Sequence, residues 1–230
     1  SEVDKFNFKK KIEEIDIKKI DKKRLKNKKF YFINISDKNS KSYIQRCFIC
    51  AFQLLKKGFS NKFLNGPIDK TKTLEKRYLG VTEYIAKSFN KKKFAMLIYS
   101  KDLSVCPITT HLPLNLVSKE ITKKLIKEKV LIINNFYKKF LNCKPRIAVT
   151  GLNPHCESVL KFNEDEKIVR PAIKSLKHKV NVEGPFPSDT IFLKNNRTKF
   201  DVIIGMYHDQ VLTPIKTLFE YNAINITVGL

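Results

Sequence analysis

The stretch RIAVTGLNPH, residues 146–155, opens as a short apolar strand and ends on a histidine beside the turn-forming Gly151 and Pro154. The same plan recurs in VIIGMYHDQ, residues 202–210, and in LSVCPITTH, residues 103–111. Short apolar runs without in–out alternation suit strands buried on both faces, which occur in parallel sheets covered by helices. Between them lie stretches of helical spacing. Ile44, Phe48, Phe52 and Leu55 mark a helix over 41–57. Ile121, Leu125, Ile132, Phe136 and Phe140 predict one long helix over 118–141, with Ser118 or Thr122 as N-cap. Ile168, Ala172 and Leu176 predict another over 164–179. Further strands are expected at 30–35, 63–68, 94–99 and 224–230, the second broken by Gly66-Pro67. This alternation reads as an α/β layered fold with a largely parallel sheet. Residues 1–29 form a lysine-rich lead-in of loop and short helix, and 30–230 form the α/β region.

Composition sets the outer limits. A chain of 230 residues that is 42% hydrophobic and 11% aromatic can bury a genuine core. No apolar run reaches the roughly 18–20 residues that span a bilayer, and the charged N-terminus has no apolar signal core. The expectation is a cytoplasmic protein. Five cysteines in such a chain fit reduced thiols better than a disulfide framework. The Cys47-Phe-Ile-Cys50 pair sits in a helix-like stretch and reads as buried helix thiols rather than a redox pair.

The formal charge of +24 first suggests a nucleic-acid partner. Of the 46 basic residues, however, only six are arginine (Arg24, Arg46, Arg77, Arg146, Arg170, Arg197) and forty are lysine. Base-edge readout and bidentate phosphate clamps favour the planar fork of arginine. Lysine spread over every polar face is the pattern of a solvated enzyme surface. A basic nucleic-acid-binding protein is the rival from another class, and steeply salt-dependent binding to DNA or RNA would mark it.

His111, His155 and His208 follow the ends of three expected buried strands. Ligands of open α/β sheets bind at the carboxyl ends of the strands, and neutral imidazole is a common donor to divalent transition metals. The three are therefore expected to converge on one metal site, with Asp209 or Asp189 orienting a ring or joining the ligand shell. The fourth histidine, His178, lies in a lysine-rich helix end and reads as surface.

The segments TTHLPL, GLNPH, GPFPSDTIF, MYHDQ with Pro214 and Lys216, and NITVGL together resemble the 4-hydroxythreonine-4-phosphate dehydrogenase family of pyridoxal phosphate biosynthesis. They keep the family's order and approximate spacing from about Phe30 to Leu230. The resemblance implies an isocitrate/isopropylmalate dehydrogenase-like α/β/α fold, two lobes around a cleft, and a homodimer whose metal site draws ligands from both subunits. It implies His111, His155 and His208 as ligands of a divalent metal (Zn, Mg, Mn or Co). Thr82, Lys216 and Asn225 match substrate-binding positions, and Asp189 and Asp209 would lie near metal and substrate. Lys216 with Asp209 or Asp189 would handle proton transfer. The implied reaction is oxidation of 4-phosphooxy-L-threonine by NAD (or NADP) to a β-keto acid that decarboxylates to 3-amino-2-oxopropyl phosphate, a step towards vitamin B6.

Three features depart from the family pattern. Val81 stands where the family usually has histidine, and cannot hydrogen-bond a substrate. Cys156-Glu157-Ser158 replaces small residues after GLNPH, with Cys156 read as a packed thiol ahead of an extra soft donor. The family's opening glycine-rich loop and its segments beyond the NITVGL motif have no counterpart, and no GxGxxG offers another dinucleotide loop. The chain is thus expected to be an incomplete member, either active as the dehydrogenase or metal-binding and catalytically idle.

Overall fold

The computed structural model describes residues 12–26, 29–35, 42–69, 74, 78, 80–157 and 162–229. Expectations that fall on residues 1–11, Ser158 and Leu230 lie outside them. The chain divides into two compact units, residues 1–78 and 79–230.

In the first unit, strands β1 (Ile12–Glu14) and β2 (Phe30–Phe32) pair in parallel, with Ile12 opposite Phe30. The lead-in was expected to carry a short helix; its described residues hold β1 and a 3-10 turn at Lys22–Arg24. Helix α1 (Tyr43–Lys56) begins at a capping box, in which Ser42 Oγ accepts from Gln45 N and the Gln45 side chain reaches back to Ser42 N. Its Phe48 and Phe52 pack with Phe63, ring centres 5.5–5.9 Å apart. The expected strand over 63–68 does not form. Phe63 is held by those rings while Leu64 is 95% exposed, and Pro67 lacks the N–H that a central strand needs.

The second unit is built on a six-stranded sheet of β3 (Ala95–Tyr99), β4 (Ser104–Pro107), β5 (Ile147–Thr150), β6 (Val182–Phe186), β7 (Val202–Gly205) and β8 (Ile224–Val228). Their order is β6-β5-β7-β4-β3-β8. The pairs β6–β5, β5–β7 and β7–β4 are parallel, whereas β4–β3 and β3–β8 are antiparallel. Period-two geometry sorts the strand residues between two cores. Leu97, Cys106, Ile147, Val149, Val202 and Ile204 face one, with Val117, Ile126, Val130, Ile133 and Tyr137 from the covering helices. Met96, Val105, Ala148 and Ile203 face the other, covered by Val211, Leu212 and Ile215 of the helix that follows β7. Helices on both faces give the α/β/α layering.

Two expected helices are interrupted. In place of one helix over 118–141 there are two, α3 (Leu114–Glu120) and α4 (Lys123–Phe140). Ile121 between them is extended and buried, and the Thr122 hydroxyl takes the N–H of Leu125, which starts a new helix there. Over 164–179, a wide turn at Asp165–Val169 precedes α5 (Arg170–Lys174). Pro171 cannot donate to the carbonyl four residues back, and Arg170 N reaches five residues back to Asp165 O. Helix α2 (Val81–Ser88) precedes β3, a short α6 (Lys194–Arg197) follows β6, and α7 (His208–Phe219) follows β7. Among the described residues no helix is long and apolar enough to cross a membrane.

At the amino ends of the parallel strands, Arg146 clasps Asp201. Arg146 N and Nη2 donate to its carboxylate at 2.7 and 2.8 Å, and Asp201 O in turn accepts from Ser104 N. Partial burial would raise the Asp201 carboxyl, but the hydrogen bonds and charge of Arg146 outweigh it and hold it below its ordinary 3.8. A carboxyl lowered by folding stabilises above its unfolded value and loses that contribution as pH falls through its folded one. Asp201→Asn is therefore expected to lower the urea midpoint at pH 7, with the gap to wild type narrowing below pH 3.8. A gap that stays constant across that range would contradict the clasp's role.

Candidate functional site

Because β5, β7 and β4 lie side by side and parallel, their carboxyl ends open on one edge of the sheet. His111 follows β4, His155 follows β5, and His208 begins α7 directly after β7. The side chain of Gln210 ties two of these ends together. Its Oε1 accepts from Met206 N at 2.6 Å and from the Thr150 hydroxyl at 2.9 Å, while its Nε2 donates to Gly151 O at 2.8 Å. Gly205 makes the approach possible, since a Cβ there would sit 2.4 Å from Val211 Cγ1 and 3.0 Å from Gln210 Oε1.

His111 and His208 come together, ring centres 5.6 Å apart and planes tilted by 39°. Each has its Nδ1 against a carboxylate: His111 at 3.2 Å from Glu83 Oε1, and His208 at 2.7 Å from Asp209 Oδ1. The Nε2 of each ring remains for a ligand. Two imidazoles bound through ring nitrogens at ~2.1 Å to one ion have centres roughly 5–6 Å apart, a separation that this pair matches. Glu83 also accepts from the Thr110 hydroxyl at 2.7 Å. Burial would raise Glu83, but the hydrogen bonds from His111 and Thr110, its own backbone N–H and the charge of His111 bring it down to about 2. Sequence reading passed over Glu83; its place just after Thr82, at the start of an amphipathic helix, was the available signal.

His155 is placed differently. It is exposed and, with Cys156, takes the left-handed backbone region (φ 56° and 61°), which costs an L residue roughly 1–2 kcal/mol. The fully buried Asp165 holds this turn, its carboxylate accepting from Leu152 N at 2.7 Å, Asn153 N at 2.9 Å and Asn153 Nδ2 at 3.0 Å. Cys156 is buried, and burial, then Asp165, pushes its thiol up to about 11, as suits a packed residue. Among the described residues, no three histidine, cysteine, aspartate or glutamate side chains of one chain are grouped to hold a metal. The single chain thus assembles two of the expected imidazoles, with His155 outside the pair.

The other expected site residues divide between two places. Thr82 is buried on α2 with its hydroxyl 3.1 Å from that of Thr227, and Thr227 shares a β8 face with the exposed Asn225. Asp209 is exposed beside His208, and Asp189 is exposed in the turn after β6, near enough to Cys156 to raise its thiol. Lys216 is exposed on α7, about 12 Å along the helix from His208 at 1.5 Å per residue. The five cysteines are free thiols; Cys47 and Cys50 lie on α1 as expected but half-buried rather than buried, and partial burial, then Cys47, raises Cys50.

The family model described as "Pyridoxal phosphate biosynthetic protein PdxA" matches residues 2–230. A 4-hydroxythreonine-4-phosphate dehydrogenase of Sulfurihydrogenibium sp. is 42% identical over 169 residues, covering 71% of this chain and 52% of its own. A D-threonate 4-phosphate dehydrogenase of Pectobacterium atrosepticum is 34% identical over 189 residues, covering 80% and 58%. Among solved structures, a 4-hydroxythreonine-4-phosphate dehydrogenase of Klebsiella pneumoniae superposes with a TM-score of 0.76 at 28% identity, covering 98% of this chain and 74% of its own. The chain spans about half the length of the curated relatives it matches. The layered fold is that of isocitrate and isopropylmalate dehydrogenases.

Asp165→Ala would leave the part-buried N–H groups of Leu152 and Asn153 without their acceptor. It is expected to destabilise the protein by on the order of 3 kcal/mol and to speed amide exchange in residues 151–157 first. Uniform exchange across the sheet, with those residues no faster than the rest, would show that the loop does not depend on Asp165.

Proposed function

The chain belongs to the PdxA family of pyridoxal phosphate biosynthetic proteins, and from that premise we propose that it is a metal-dependent dehydrogenase of a 4-phosphorylated hydroxy acid. The observation that carries the reading is the convergence of His111 and His208, each braced through Nδ1 by a carboxylate. The substrate proposed is 4-phosphooxy-L-threonine, oxidised by NAD (or NADP) to a β-keto acid that loses CO2 to give 3-amino-2-oxopropyl phosphate. His111, His208 and His155 would hold the cation, completed in a homodimer. Two imidazoles meeting within one chain, and His155 standing exposed on a held turn, support that division.

A bound divalent cation supplies Lewis acidity, lowering the pKa of a substrate hydroxyl and stabilising charge on its oxygen. The protein's own residues do the rest. Thr82 and Asn225 bind the substrate from α2 and β8, registered by the Thr82–Thr227 contact. Asp209 orients His208 through one carboxylate oxygen and stays accessible enough to take a proton. Lys216 and Asp189 serve substrate charge and proton transfer from the rim, Lys216 drawing in the phosphate. The nicotinamide coenzyme is assigned to no residue here, since the glycines are isolated in sequence. Val81 opens α2 beside Thr82 without a polar group, so the substrate's other end is read differently here. D-threonate 4-phosphate, the substrate in one relative's name, is the second candidate.

Protein supplied with divalent metal, NAD and 4-phosphooxy-L-threonine is expected to form NADH, and a chelator to abolish it. Faster turnover of D-threonate 4-phosphate would reassign the substrate. No NADH with either compound, metal still bound, would identify a catalytically idle homologue. His155→Ala is expected to lower bound metal measured by elemental analysis of the purified protein; unchanged stoichiometry would remove His155 from the ligand set.

A further inference from the structure

Glu83 lies on α2, separated from His111 by 28 residues in sequence, and its contacts define what the His111 ring can offer. An ionised carboxylate only accepts hydrogen bonds. Oxygen Oε1 takes the Thr110 hydroxyl at 2.7 Å and faces His111 Nδ1 at 3.2 Å, so the proton between Glu83 and the ring must sit on Nδ1. In the neutral ring Nε2 is then left with its lone pair. The carboxylate is well sheltered, its side chain 20% exposed, and Oε2 is buried without a hydrogen-bond partner. Gly80 keeps the arrangement tight, for a Cβ there would stand 2.6 Å from His111 Cε1 and 2.7 Å from Glu83 Oε2. His208 has a corresponding carboxylate in Asp209, but that one is 78% exposed and adjacent in sequence.

We propose that Glu83 is a positioning residue that fixes the tautomer and orientation of His111, so that Nε2 is presented as a neutral donor to a divalent cation. Carboxylate–imidazole pairs of this kind orient metal-binding histidines, and removing the carboxylate commonly costs 10–100-fold in metal affinity. The inference rests on the proposed metal-binding role of His111, and Thr110 belongs to the same device. Its hydroxyl donates to the same Oε1 that faces the ring, at 2.7 Å, and so helps hold the carboxylate in place.

The test is nitrogen-15 NMR of the histidine rings in chelator-treated, metal-free full chain, at a pH where the imidazoles are neutral. His111 is expected in the Nδ1–H form. A His111 that carries its proton on Nε2 in the wild type would overturn the proposal, and that observation needs no variant to fold. Glu83→Ala is expected to erase the Nδ1–H preference and to weaken Zn2+ binding by about 10–100-fold. Glu83→Gln, which keeps a carbonyl acceptor, is expected to fall between. A merely structural Glu83 would alter stability while leaving the tautomer unchanged, and an identical tautomer in Glu83→Ala and wild type overturns the assignment. Wild type that shows the Nδ1–H form yet binds no Zn2+ would support Glu83's role while removing the metal reading itself.

Discussion

The side-chain amide of Gln210 fixes two of the three strand ends that carry the histidines. With one oxygen and one nitrogen it satisfies Met206 N, the Thr150 hydroxyl and Gly151 O, locking the carboxyl end of β5 to that of β7. Buried polar groups are costly unless partnered, so a network in which each of these atoms has a partner permits one arrangement of the two strand ends. It also sets where α7 begins, because Gln210 lies in the first turn of the helix whose first residue is His208. The glycine at 205 is the steric condition for this lock.

Charge is distributed unevenly around this frame. The chain carries +24, yet the two imidazoles that meet do so beside carboxylates, Glu83 and Asp209. Among the described residues most lysines are exposed, Lys129 being buried, and arginine engages carboxylates away from the histidines, as in Arg146–Asp201 and Arg170–Glu166. A neutral imidazole backed by a carboxylate is suited to a cation, whereas a cluster of arginines would have suited a phosphate backbone. Local partners, more than net charge, decide what the site can hold.

Much of the sheet was legible in sequence because its signal is local. Runs such as 147–150 and 202–205 are apolar throughout, and strands buried on both faces have no other place to lie. The placement of His111, His155 and His208 at strand ends followed from that. What was not legible depends on contacts distant in sequence. Thr122 was legible as one of two candidate N-caps, but not that the stripe ahead of it would fold as a separate α3, and the consequence of Pro171 is a widened turn rather than a stop. Asp165, Gln210 and Glu83 look like ordinary polar residues until the fold brings Leu152, Met206 and His111 to them. In 63–68 the apolar pattern suggested a strand, but Phe63 found aromatic partners on α1 instead.

The pairing of His111 and His208 is the claim on which the functional reading stands. X-ray absorption spectroscopy of the zinc-loaded protein addresses it directly, because imidazole rings give outer-shell scattering that water and carboxylate do not. The account predicts imidazole nitrogen in the first shell and loss of that ring scattering when both histidines are replaced by alanine. A first shell of oxygen alone, unchanged by the double substitution, would contradict it.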